Sequence, residues 1–363
     1  MFAYYLLVGA PLLMALLMYS LKYRYRLDRM PYPKEVIRIF FLIYFLLLAF
    51  RAESVGADTW NYLSKFQNAR CSTWTEHVFS RTSEQGYALL TKLISTITGS
   101  EQVFLAVIAL ITVYPIAKLY MEESESPVLT ISMYLILPMF QMTFSGVRQA
   151  MAIAFVPAAY CCIQERKWVR FLLVVWIASL FHQSAWVMLV LYPVYHARIS
   201  RKSLIWVIPV LAVLVLFRTQ IFLLLYSVIL WAFGEREIGV EETGATSMLM
   251  LFTIILVFSY LFLGETDEET SGQRNILILS VAVQSFALVN RLAMRVNYYY
   301  LIFLPLLLPK VIRRIPGKNK WFATLVEFVC CAYFLFYFFR KAGSSLGGTG
   351  SLGIFPYVPF WNV

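Results

Sequence analysis

Four ionisable residues, Arg148, His182, Arg291 and Arg295, interrupt or border stretches that are otherwise apolar. In a membrane such groups are costly and normally face a cavity, a partner or a substrate. Arginine carries a planar fork of donors that matches a phosphate in a bidentate way. Histidine takes up a proton near neutral pH and so suits a general base. A further set, Arg51, Asp58 and Glu84, lies in a long polar stretch between apolar runs. These types suit an anionic, membrane-borne ligand held by guanidinium groups, with a base close by.

Each position also has a plainer reading. In Phe144-Ser145-Gly146-Val147-Arg148-Gln149-Ala150, Gly146 permits close backbone approach. Arg148 falls in the first turn of the next helix, where a cation opposes the dipole. A side chain snorkelling from a helix end explains Arg148 simply; the dipole conflict and the adjacent Gln149 favour a ligand. His182-Gln183-Ser184 divides two short apolar runs, Phe171–Phe181 and Ala185–Tyr195. It is either a tight turn offering His182 as base or phosphate ligand, or the site of a satisfied buried histidine. Arg291 and Arg295 are four residues apart and share a helix face, as Arg295 does with Tyr298 and Tyr299. Like charges on one face repel unless an anion lies between them; the alternative is that both reach water above an aromatic belt. Asp58 suits the N-cap of a helix starting at Thr59, and Glu84 suits a solvated charge. With Arg51, Tyr62 and Tyr87 they also compose a sugar-binding set, and either carboxylate suits a general base.

The elements that position these residues follow from composition. The chain has 363 residues, 60% hydrophobic, 17% aromatic and only 14% charged, with a net charge of +11 and a mean hydropathy of +0.70. A soluble domain carries about 25% charged residues. The apolar runs show no strand-like alternation, which sets aside a β-barrel. The fold class is therefore an all-α polytopic membrane protein, one integral membrane domain over 1–363. Spans are expected at about 2–21, 34–50, 101–120, 127–143, 146–164, 168–182, 184–197, 203–224, 245–264, 274–290, 292–309 and 320–340. The first is read as a retained span, not a signal peptide. The stretch 203–233 is long for one upright helix and suits a break near Arg218. Lys and Arg concentrate in the loops around 22–34, 165–170, 198–202 and 310–320, which twelve spans place together in the cytoplasm. The segment 51–100 is then an extracytoplasmic loop with a helix from Thr59 to about Arg70 and an amphipathic one near Gly86–Thr98. The tail 341–363 is also outside, Gly/Ser-rich first and aromatic at its end. The basic charge sits in short loops, which argues for membrane topology and against nucleic acid. The five cysteines have neither CxxC nor Cys/His metal spacing, and no P-loop or dinucleotide fingerprint exists.

Taken in order, Arg51…Gly56-x-Asp58-Thr59-x-x-Tyr62, Glu84-x-Gly86-Tyr87, Ser145-Gly146-x-Arg148-Gln149, Phe181-His182-x-Ser184-Ala185 and Arg295…Tyr298-Tyr299 resemble the EpsG family, a branch of the Wzy-like polysaccharide polymerases. The resemblance implies a GT-C-like enzyme of the bacterial plasma membrane, multi-pass, with its active face extracytoplasmic. It implies transfer of a growing glycan from an undecaprenyl diphosphate carrier to the next lipid-linked repeat unit. Arg148, Arg291 and Arg295 would hold the diphosphate, and His182 or Asp58 would take the acceptor proton. Arg51, Tyr62, Glu84, Tyr87, Gln149, Tyr298 and Tyr299 would bind substrate. No residue pattern points to a metal or cofactor, and arginines can do the charge neutralisation a metal does elsewhere, so neither is expected; the resemblance implies membrane lipid and the pathway's chain-length regulator and flippase as partners. The competing readings are a flippase for a lipid-linked oligosaccharide, a ligase using the same donor, an acyltransferase with His182 as base, and a non-enzymatic organiser of an export complex.

Overall fold

The computed structural model describes residues 1–27, 33–80, 82–233, 245–263, 267–315, 320–345 and 352–362. Arg29 of the first basic loop, Gly264 at the end of the expected span 245–264, Lys318 and the glycine-rich residues 346–351 lie outside them. The described chain is helical, with no strand beyond an isolated bridge between Arg51 and Pro359. It forms two compact units, Met1–Trp186 with Thr324–Val363, and Val187–Ala323.

The first unit begins with α1 (Phe2–Arg24), α2 (Pro33–Ala49), α3 (Thr59–Cys71), α4 (Gln85–Ile97) and α5 (Glu101–Glu123). It continues through α6 (Pro127–Ile136), α7 (Pro138–Ser145), α8 (Val147–Ile153), α9 (Val156–Gln164) and α10 (Trp168–Ser179). Its frame is α2 packed along α1 and α5. Phe40, Phe41, Tyr44, Tyr120, Tyr134 and Phe140 fill the contact with ring pairs at 4.9–6.3 Å. The expected span 127–143 is bent by 61° between α6 and α7. Pro138 is the cause, because a residue before proline is pushed out of the helical region, and Leu137 has ψ 140. The expected span 146–164 is present as Val147–Gln164, apolar and long enough to cross as one helix, with only a local turn at Ala154–Phe155 between α8 and α9.

Between α2 and α5, α3 and α4 form a lobe with its own core. Tyr62, Phe66, Tyr87 and Ile94 pack there on Phe104 of α5 and on Val147 and Met151 of α8. Lys92 is buried, and its Nζ donates to the carbonyls of Ala69 at 2.7 Å and Ser72 at 2.5 Å, tying α4 to the end of α3.

The second unit holds α11 (Leu191–Tyr195), α12 (Leu204–Leu216), α13 (Arg218–Phe233), α14 (Thr246–Phe262), α15 (Glu268–Ala287), α16 (Arg291–Leu301) and α17 (Leu304–Arg313). At its centre is α15, packed against α11, α12, α14, α16 and α17. This helix departs from the expected span at 274–290 and starts at Glu268, so the polar residues Glu268–Gln273 before that span are helical. Asp267 caps it by accepting from the Thr270 amide at 3.4 Å, and Glu268 and Glu269 oppose the positive end of the dipole. Hydropathy passes over such a segment because several of its polar groups find partners inside the unit, although Arg274 Nε, Asn275 Oδ1 and Gln284 Nε2 are buried without a hydrogen bond among the described residues. Ser280 donates to Asn297 at 2.7 Å, Asn297 to Gln284 at 2.8 Å, and Asn275 to the Ala197 carbonyl at 2.6 Å. Lys310 pairs with Glu269. A break does occur at Phe217, where α12 and α13 bend by 79°. The expected span 292–309 is bent by 59°.

The last helix, α18 (Lys320–Ser345), runs past the expected span end and returns the chain to the first unit. The tail then binds protein. Its residues pair with the segment after α2 through Ala52 N to Val358 O (2.9 Å), Gly56 N to Gly353 O (2.8 Å) and Ala57 N to Leu352 O (2.7 Å). Among the described residues, four helices are long and apolar enough to cross a membrane, or up to seven if each bent pair is one span. This is a polytopic helical membrane protein.

Candidate functional site

Glu84 is held in an uncommon backbone state. Its φ of 57° and ψ of 37° are left-handed, a conformation that costs a non-glycine residue of order 1–3 kcal/mol and gathers at functional sites. It sits at the N-cap of α4, yet its side chain makes no capping bond. Both carboxylate oxygens point elsewhere. One accepts from Nη1 of Arg148, and the other lies 2.6 Å from Nδ1 of His182.

Three separate parts of the chain meet here for local reasons. The α4 start is seated on the end of α10: the amides of Gly86 and Tyr87 donate to the Leu180 carbonyl at 2.9 and 3.3 Å. Only glycine allows this approach, since a Cβ at residue 86 would lie 2.8 Å from Leu180 Cβ and 3.1 Å from its oxygen. His182 follows two residues later, its own amide bonded to Ala178 O at 3.2 Å. Arg148 comes from the first turn of α8, just after Gly146 ends α7. The dipole conflict expected at Arg148 is met by Glu84.

The cluster is partly open. Side-chain exposure is 35% for Arg148, 27% for His182 and 10% for Glu84. Burial raises the Glu84 carboxyl, but the His182 hydrogen bond and the Arg148 charge outweigh it and hold it below the ordinary carboxylate value. It is therefore ionised at neutral pH. Burial pushes the Tyr62 phenol up and the nearby Asp58 charge adds to this, while contact with Arg148 opposes it. Tyr62 thus joins the cluster as a partner of the guanidinium. Among the described residues, no three His, Cys, Asp or Glu side chains converge as a cation site.

The EpsG family model matches residues 35–358, nearly the whole chain. The chain belongs to the EpsG family. That family is related to the Wzy-like polymerases and associated with polysaccharide polymerisation, a glycosyltransferase-type activity. No curated protein and no solved structure matches this EpsG-family chain.

The other residues singled out from the EpsG-family motifs have varied surroundings. Asp58 occupies the N-cap of α3 but makes no side-chain capping bond, and it is exposed. Tyr62 and Tyr87 are buried with ring centroids 6.0 Å apart in the lobe core, so their faces are not open stacking surfaces. Gln149 is buried. Arg51 is only 2% exposed. Its Nη1 donates to Leu48 O at 2.9 Å and its Nε to Thr59 Oγ1 at 3.3 Å, with the Phe144 ring 5.8 Å away. Arg291 and Arg295 are exposed near the start of α16 in the second unit, whereas Tyr298 and Tyr299 are buried in that unit's core. Arg295 and Tyr298 remain neighbours on one face of that helix, with the guanidinium exposed and the rings turned into the core. Exposed aromatic surface on the α3–α4 lobe comes instead from Trp60, Trp74 and Phe79. Sequence reasoning missed these; the available signal was an indole in a polar stretch, where nothing requires its burial.

Proposed function

We propose that this protein is a polysaccharide polymerase that transfers a growing glycan from an undecaprenyl diphosphate carrier to the next lipid-linked repeat unit, at the outer face of a bacterial plasma membrane. The convergence of Arg148 and His182 on one ionised carboxylate carries the reading. It joins a cation suited to a phosphate with a base suited to a hydroxyl. In the reaction, the acceptor hydroxyl loses its proton to His182 and attacks the anomeric carbon. The bond from that carbon to the diphosphate oxygen breaks, and the diphosphate leaves with the electron pair. Arg148 stabilises that developing charge. Asp58 is exposed near Tyr62 and is the second candidate for the proton. Trp60 and Trp74 offer open rings for sugar faces. Arg291 and Arg295, within their own unit, suit a further grip on an anionic ligand of the same chemistry. Family membership supports the glycosyltransferase class; a twelve-span GT-C-like arrangement and an outer α3–α4 lobe are parts of the same proposal.

A flippase for a lipid-linked oligosaccharide is the second reading, and it would need the buried polar groups of α15 to line a path. Those groups bond to one another, which suits a packed core better than a path. The test is a chain-length assay with purified full-length protein and a lipid-linked repeat unit. A ladder growing by whole repeats, lost in Arg148→Ala, is the expected result. Unchanged glycan with lipid moved between leaflets would replace the proposal with the second reading. Cys71 is exposed on α3, so an impermeant thiol reagent should label it in intact cells; protection there would reverse the assigned face.

A further inference from the structure

We propose that Glu84 is a positioning residue that sets the tautomer of His182, so that Nε2 is the atom that accepts the acceptor-hydroxyl proton. This rests on the polymerase reading above and deepens it. The family resemblance places Glu84 among sugar ligands, and its geometry points elsewhere.

An ionised carboxylate has no proton to give. With Oε1 only 2.6 Å from Nδ1, the proton between them belongs to the ring. A neutral imidazole carries one N–H, so Nε2 keeps its lone pair and is the acceptor. Among the described residues no hydrogen bond reaches Nε2. When Nε2 takes a proton, the imidazolium charge forms directly beside a fixed anion. The same carboxylate holds Arg148 through its second oxygen, so base and phosphate-binding cation are set at a fixed separation by one side chain. The scaffold fits this role. A strained left-handed backbone at Glu84 and the glycine contact at Gly86 exist at the same short turn, and the carboxylate gives up helix capping to make both bonds. Tight second partners of this kind change activity by about 10–100-fold when removed at metal-bound histidines, and general-base steps contribute about 10²–10⁴-fold.

The experiment uses the full chain in nanodiscs with two readouts. The first is kcat and KM on a lipid-linked repeat unit for wild type, Glu84→Gln, Glu84→Ala and His182→Ala. The second is ¹⁵N NMR of labelled histidine, which needs no activity; His77→Gln and His196→Gln assign the signals, since the chain has three histidines. A kcat loss of about 100-fold in Glu84→Ala with KM changed less than about threefold is expected. The His182 signal should move from the Nδ1–H form toward the Nε2–H form in that variant, and formate should restore part of kcat. An unchanged His182 tautomer in Glu84→Ala overturns the inference alone. A raised KM with wild-type kcat does so too and returns Glu84 to sugar binding. Wild-type kcat in His182→Ala overturns the polymerase base assignment itself, whatever the NMR gives. Glu84→Gln preserves shape, so loss of the folded protein in the alanine variant still leaves the kcat and tautomer tests to be made.

Discussion

Two arginines of the first unit came from the same ordered motif set, and their surroundings are opposite. Arg148 is about one-third exposed and faces a carboxylate, a histidine and a phenol. Arg51 is closed off against the Leu48 carbonyl, a threonine hydroxyl and a phenyl ring, with its Nη2 buried and unbonded among the described residues. Around Arg51 the motif residues are architecture. Thr59 Oγ1 donates to Val55 O at 2.7 Å, and Ser145 Oγ accepts from Ala57 N at 3.0 Å and donates to Leu352 O at 2.8 Å. A guanidinium can thus mark a ligand site or a junction, and exposure together with a titratable partner separates the two.

The largest expected effect tests that separation directly. Arg148→Ala should remove the glycan ladder, a loss of at least about 10²–10³-fold if one charge-stabilising donor is lost, while thermal unfolding changes little. Arg51→Ala should do the reverse. Truncating a buried side chain and leaving its partners unbonded costs roughly 2–4 kcal/mol, read as a lower Tm with turnover per folded molecule kept. Equal activity loss in both variants would erase the distinction.

Two glycines sharpen it at the next level. Gly86→Ala forces a Cβ onto Leu180, so α4 must move off α10 and Glu84 off His182. Turnover should fall about tenfold or more, since small misplacements at a reacting centre are costly. Gly56 has φ +97°, and a Cβ there would lie 2.5 Å from Phe144 O. Gly56→Ala should therefore cost on the order of 2 kcal/mol of stability with turnover per folded molecule retained.

The sequence made some of this legible and hid the rest for identifiable reasons. Membrane class, the helices of the α3–α4 lobe and the break near Arg218 follow from local apolar pattern and helix signals, which the chain carries residue by residue. Arg148 and His182 stood out because a charge in an apolar run has few structural uses. Local sequence makes Glu84 a solvated or sugar-facing charge, since its partners are 64 and 98 residues away and nothing nearby announces them. Tyr62 and Tyr87 were assigned to sugars because a tyrosine in a polar stretch looks exposed; the core formed with Phe104 and Val147 is a tertiary fact. The start of α15 is hidden for the same reason, since Glu269 pairs with Lys310 and Asn275 donates to the distant Ala197 carbonyl.

The smallest effect concerns pH. Glu84 has a folded-state pKa below its ordinary value, so the proton binds the unfolded chain more readily. Its pairing therefore adds stability at pH values above the ordinary glutamate pKa of about 4.3, and that addition fades as pH falls through the depressed folded value. Wild type should exceed Glu84→Gln in Tm at neutral pH, and the gap should close in acid. Arg51 has no carboxylate among its hydrogen-bond partners, so the Tm deficit of Arg51→Ala should persist across the same range. A deficit in Glu84→Gln that also ignored pH would mean its carboxylate acts by shape, and the contrast between the two arginines would lose its electrostatic basis.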